Sequence, residues 1–159
     1  MERRSGSSRR ILIVDDDEGI RKLMKAIFAP LEIDVEFAAD GEVARHLLHQ
    51  RDYDAVVLDL FLPSVDGFEI IREMKVTRPA LLAHTMILTA ANERTLREFT
   101  DGRLVSCIVR KPFDVNGFVQ AVLTCCGVVD EKLKTRGTAT AKREYGGDPP
   151  GNLPRPSDL

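Results

Sequence analysis

The sequence predicts an α/β domain, a parallel sheet covered by helices on both faces. Three observations lead there. Five short apolar, β-branched runs recur between residues 11 and 109. Helical periodicity fills the gaps between them. The runs 11–14, 55–58 and 86–88 are apolar throughout rather than at every second position, as strands buried on both faces require.

The first run is Ile11-Leu12-Ile13-Val14. Ile20, Leu23, Met24 and Ile27 then fall at i, i+3, i+4 and i+7, one face of a helix that stops before Pro30. Ile33 to Phe37 is the second strand, and Val43, Ala44, Leu47 and Leu48 mark the second helix. Ala55-Val56-Val57-Leu58 is the third strand, followed by Phe68, Ile71 and Met74 on a helix expected to end before Pro79. Met86-Ile87-Leu88 is the fourth strand. The helix after it, around Glu93 to Thr100, is weakly marked, with only Leu96 and Phe99 apolar. Val105 to Val109 supplies the last strand, and Val115, Phe118, Val119, Val122 and Cys126 a strongly apolar fifth helix. Right-handed crossovers between parallel strands leave all their carboxyl ends on one rim, where open sheets bind ligands.

Composition narrows the function classes. The chain has 159 residues, 43% hydrophobic and 30% charged, which fits one globular domain with a tail. No apolar run approaches the ~18 residues of a membrane span, so membrane insertion is not expected. The basic N-terminus lacks the apolar stretch and cleavage site of a signal peptide. Three cysteines in no metal-binding spacing fit reduced thiols and a cytoplasmic location. Of the formal net charge of −2, residues 1–10 carry +3, residues 128–159 carry +1 and residues 11–127 carry −6. An acidic globule does not suit direct binding of nucleic acid. Residues 1–8 are expected to form a disordered basic arm and 9–127 the folded domain. Residues 128–159, with four of the eight prolines and no hydrophobic period, read as a disordered Pro/Gly-rich tail.

The rim carries the chemistry. Asp15, Asp16, Asp17 and Glu18 follow the first strand, Asp59 the third, Thr89 and Ala90 the fourth, and Arg110, Lys111 and Pro112 the fifth. Carboxylates gathered in one small site repel one another unless a cation intervenes. An all-oxygen donor set with open positions suits a hard dication, Mg²⁺ above all. With no Ser–His pair, such a site is poorly equipped for acyl transfer. It is well equipped for phosphoryl transfer, with the metal, Lys111 and the Thr89 hydroxyl on the phosphoryl oxygens and Asp59 as nucleophile.

The motifs Ile11-Leu-Ile-Val-Asp-Asp16, Leu58-Asp59, Pro63 with Asp66-Gly67, Ile87-Leu-Thr-Ala90 and Lys111-Pro-Phe113 occur in that order. Together they resemble the receiver domain of two-component response regulators, of the chemotaxis-receiver type, over about Ile11 to Gly127. The resemblance implies a flavodoxin-like (βα)5 three-layer sandwich with strand order 2-1-3-4-5. It implies that Asp59 accepts a phosphoryl group from a histidine kinase or histidine phosphotransferase, switching the binding of an unknown downstream protein or relaying the phosphate. Asp16, Asp59 and the main-chain carbonyl of Phe61 would bind Mg²⁺ directly, and Asp15 directly or through water. Lys111 would pair with phosphoryl oxygens, the Lys111–Pro112 bond would be cis, and Thr89 would swing toward the phosphate. Such a domain is a phosphoacceptor with at most slow autodephosphorylation, not an enzyme in the usual sense. The chain departs from the family where many members place Tyr or Phe three residues before the Lys; Ile108 stands there. Residues 128–159 are too short and Pro/Gly-rich for a helix-turn-helix, so a stand-alone receiver is expected.

Two rival readings remain. Asp15-x-Asp17 after a strand suits a haloacid-dehalogenase-like, Mg²⁺-dependent phosphatase, but Gly19 stands where a Thr or Val is needed and no acidic pair follows Lys111. A pseudo-receiver, an interaction module never phosphorylated, would not need the full set of Asp15, Asp16, Asp59, Thr89 and Lys111. His46, His49 and His84 show no third metal ligand and are not required by either chemistry. Asp66-Gly67 reads as a turn and helix cap.

Overall fold

The structure is a computed structural model that describes residues 8–31 and 33–127. The expected basic arm, apart from Ser8, and the expected tail from 128 onward lie outside the described residues. Five parallel strands form one sheet: β1 (Arg9–Val14), β2 (Ile33–Ala38), β3 (Ala55–Leu58), β4 (Thr85–Thr89) and β5 (Cys107–Arg110), in the order β2-β1-β3-β4-β5. This is the flavodoxin-like order that the resemblance implied.

The helices are α1 (Glu18–Phe28), α2 (Gly41–Gln50), α3 (Gly67–Thr77), α4 (Pro79–Leu82), α5 (Glu93–Glu98) and α6 (Val115–Cys125), with a 3₁₀ turn at Thr100–Leu104. Asp17, Asp40, Asp66, Asn92 and Asp114 cap α1, α2, α3, α5 and α6, each accepting a backbone amide three residues on.

Two elements differ from expectation. Pro79 was expected only to end a helix, yet it also begins the single turn α4, since a proline at the first helical position lacks only an amide that would be unpaired there anyway. The weakly marked helix after β4 is shorter than its pattern, stopping at Glu98 and continuing as the 3₁₀ turn.

The two-residue period of the strands divides the core into two layers. Ile11 and Ile13, Ala55 and Val57, Met86 and Leu88 face α1 and α6, where they meet Met24, Phe28, Phe118 and Val122. Leu12 and Val14, Val56 and Leu58, and Ile87 face α2 and α3, where they meet Ala44, Leu48, Ile70, Ile71 and Met74. Cys125 and Cys126 are buried in the first layer, while Cys107 is only partly covered. His84, for which the sequence offered no partner, places Nδ1 2.7 Å from the Cys125 carbonyl oxygen and ties β4 to the end of α6. Along β2, Asp34 pairs with Arg10 at 2.9 Å, and Glu36 pairs with Arg51 and accepts from the Tyr53 hydroxyl at 2.7 Å.

Candidate functional site

Sheet register brings the acidic residues together. Val14 and Leu58 are paired neighbours, so Asp15 and Asp59, one residue beyond each, leave the sheet side by side. The Asp15 amide donates to the Ala38 carbonyl and the Asp59 amide to the Val14 carbonyl, extending the ladder by one step and fixing both Cα positions. On β5 the Lys111 amide donates to the Thr89 carbonyl at 2.9 Å. Residues 11, 13 and 15, then 55, 57 and 59, then 107, 109 and 111 share one parity. Carried past the strand ends, that alternation points Asp15, Asp59 and Lys111 to the same side of the rim.

The Lys111 ammonium stands between the two carboxylates, 2.7 Å from Asp15 Oδ2 and 2.8 Å from Asp59 Oδ2. Asp15 is 1% exposed and Asp59 5%. Asp15 Oδ1 accepts from the Asp17 amide at 2.9 Å, and Asp59 Oδ1 accepts from the Phe61 amide at 3.1 Å. Burial pushes the Asp15 carboxyl above the usual carboxylate range, against the pull of Lys111. Burial also disfavours the Lys111 ammonium, but its hydrogen bonds to Asp15 and Asp59 outweigh this and leave its pKa raised, so it is fully charged at neutral pH.

Asp16 is exposed at the mouth of the site, and Asp15, Asp16 and Asp59 each offer an oxygen within 4.8 Å of the others. Three carboxylates gathered about one ammonium leave an excess of negative charge that a dication would offset. The all-oxygen donors and this charge balance fit Mg²⁺.

Thr89 ends β4 on the same rim. It is fully buried, lies on the opposite parity to Leu88, and its hydroxyl oxygen accepts from the Ala91 amide at 3.3 Å. Phe61 enters through its main-chain amide while its ring is 52% exposed. The Lys111–Pro112 peptide is cis. Of the histidines, His49 is paired with Glu73 at 2.6 Å and belongs to no group of three possible metal ligands among the described residues.

Two supports were not anticipated. Arg21, one turn into α1, donates from Nη1 to the Asp15 carbonyl at 2.7 Å and pins the end of β1. Gly67 is packed so closely on the loop after β3 that a Cβ there would lie 2.3 Å from the Asp59 carbonyl oxygen. Its amide donates to the Leu60 carbonyl at 2.9 Å, so the start of α3 holds the Asp59 loop in place.

A family model described as response regulator receiver domain matches residues 11–123. The transcriptional regulatory protein SrrA of Staphylococcus aureus is 32% identical over 90 residues, 57% of this chain and 36% of its own. The chain spans only 26% to 36% of the length of the first curated relatives it matches. Among solved structures, the response regulator TrrA of Thermotoga maritima, in complex with Mg²⁺ and BeF, is 26% identical with a TM-score of 0.63 over 74% of this chain and 98% of that one. A CheY-like receiver domain protein from Methanospirillum hungatei is 21% identical with a TM-score of 0.69, covering 82% of this chain and 100% of that one, a likeness of fold.

Proposed function

Because the chain belongs to the response regulator receiver domains of two-component systems, we propose that Asp59 is its phosphoacceptor and that a histidine kinase or histidine phosphotransferase is the donor. The observation that carries the reading is the lone ammonium of Lys111 set between two buried carboxylates with a third at the mouth.

A carboxylate oxygen of Asp59 attacks the phosphorus of a phosphohistidine on the partner. The P–O bond forms as the P–N bond breaks, and the electron pair returns to the imidazole nitrogen, which takes up a proton. Lys111 keeps its charge throughout and follows the negative charge from the carboxylate to the phosphoryl oxygens. The Thr89 hydroxyl oxygen already accepts from Ala91, leaving its own proton to donate to a phosphoryl oxygen. Asp15, Asp16, Asp59 and the Phe61 carbonyl would hold Mg²⁺, which when bound neutralises charge on the transferred group. Arg21 and Gly67 act earlier, by fixing the backbones of Asp15 and Asp59. The aspartyl phosphate then alters the binding of a downstream protein or passes the group on.

Incubation with acetyl phosphate and Mg²⁺ tests this without knowledge of the donor. Intact mass spectrometry should find one phosphoryl group on the wild type and none on Asp59→Ala. A wild type that stays unmodified under these conditions points to a pseudo-receiver, and rapid turnover of generic phosphoesters to a phosphatase.

A further inference from the structure

We infer that Gly41, which stands outside the acidic cluster, is a positioning residue for Mg²⁺, because it fixes the loop that presents the Phe61 carbonyl. The inference rests on that carbonyl being a ligand of the metal. Residues 38–41, the link from β2 to α2, touch both arms of the site. The Ala38 carbonyl accepts from the Asp15 amide at 3.1 Å, and the Gly41 amide donates to the Pro63 carbonyl at 3.3 Å. Gly41 opens α2, where an amide has no partner within its own helix, and Pro63 supplies one. The two loops are also closely packed. A Cβ at Gly41 would lie 1.7 Å from the Val65 carbonyl oxygen and 2.6 Å from the carbonyl carbon, both backbone atoms. Only glycine lets α2 come this near.

What Gly41 grips is a strained turn. Ser64 has a φ of 68°, and across it the Val65 amide donates to the Pro63 carbonyl at 2.9 Å. A three-residue turn with a positive φ at its centre is rare, and a residue bearing a side chain persists there only where surrounding contacts enforce it. Ser64 itself is exposed, so the enforcement comes from its neighbours. Val65 is buried in the core, and both Pro63 and Val65 are seated against Gly41.

Between this turn and Asp59 the backbone has little freedom. The Leu60 carbonyl accepts from the Gly67 amide at 2.9 Å, and the Phe61 amide donates to Asp59 Oδ1 at 3.1 Å. The ring of Pro63 fixes its own φ. The Phe61 carbonyl therefore rides on a short span anchored by Gly67 at one end and Gly41 at the other. Because the Asp15 amide hangs on the same 38–41 link, that link sets the spacing between the two loops that would share the metal. Mg²⁺ demands near-ideal octahedral geometry, so a carbonyl moved out of place gives way to water.

Titration calorimetry of the whole chain with Mg²⁺ alone reads the affinity, acetyl phosphate labelling at graded Mg²⁺ reads the chemistry, and thermal melting checks the fold. Gly41→Ala should weaken Mg²⁺ binding by about tenfold, the usual effect of losing a group that orients a metal ligand. The Mg²⁺ concentration for half-maximal labelling should rise by the same factor, while the rate at saturating Mg²⁺ stays within about threefold of the wild type. Ser64→Pro, an exposed substitution that cannot hold a positive φ, breaks the grip from the other side and should behave alike, which keeps the test decisive if Gly41→Ala fails to fold. Ser64→Gly, which keeps the turn, should bind Mg²⁺ at least as tightly as the wild type. Unchanged Mg²⁺ affinity in the folded variants overturns the inference, as does a loss confined to the rate at saturating Mg²⁺, or binding as weak in Ser64→Gly as in Ser64→Pro. A wild type that labels without binding Mg²⁺ overturns the inference alone, and one that neither binds nor labels overturns the reading of the site with it.

Discussion

Lys111 compensates two buried carboxylates at once, and its removal strands both. Breaking a buried ion pair by deleting one partner costs about 3 kcal/mol or more, because the remaining charge keeps its desolvation penalty. Lys111→Met should therefore lower the unfolding free energy in metal-free buffer by about that amount, measured by urea titration. Mg²⁺ should restore more stability to this variant than to the wild type, since a dication takes over the ammonium's task. Equal Mg²⁺ stabilisation of the two proteins would count against a cation site among these oxygens. At this scale the sequence was informative where a residue's place on a strand decides its direction, as for Asp15, Asp59 and Lys111. It was silent on Arg21, whose hydrogen bond to a main-chain carbonyl leaves no mark in residue pattern, and on the contact between Gly67 and Asp59, which exists only once α3 has docked.

Among the elements, α3 matters to the site through its first residue. The atoms a Cβ at Gly67 would strike are the Asp59 carbonyl oxygen at 2.3 Å and Leu60 Cα at 2.7 Å, both backbone and unable to swing away. Gly67→Ala should destabilise the fold by roughly 1–3 kcal/mol, the usual cost of overpacking. In the folded fraction it should also slow acetyl phosphate labelling, because α3 can recede only by moving the acceptor loop. An unchanged melting temperature and labelling rate would show that the loop yields freely. The central strands were legible because residues 11–14, 55–58 and 86–88 are apolar throughout, as burial on both faces demands, and the runs are too short for buried helices. The stretch from Glu93 to Leu104 was not, since Leu96, Phe99 and Leu104 set no period.

For the molecule as a whole, the approach of a donor is set by what borders the acidic rim. An open, mainly apolar groove lined by Ile20, Leu23, Lys111, Pro112, Phe113 and Val115 runs from the site along α1, and Leu23 is 40% exposed within it. A protein that brings a phosphohistidine to Asp59 has this apolar face to rest on, whereas a small phosphodonor needs none. Leu23→Asp should thus reduce phosphoryl transfer from a histidine kinase or phosphotransferase by about tenfold, the effect of placing a charge at an apolar contact, and leave labelling by acetyl phosphate unchanged. Equal loss with both donors would mean that the substitution acts on the site itself. Fold class and strand order followed from alternation and motif order, but the groove is assembled from α1 and the turn after β5, and only the packed structure sets them edge to edge. Among the described residues one edge of the sheet is β2, which pairs with β1 and carries Asp34 and Glu36 in ion pairs with Arg10 and Arg51. A foreign strand adding to that border would have to crowd both charged pairs and strip their water, so the open flank resists recruitment into cross-β aggregates even at high protein concentration.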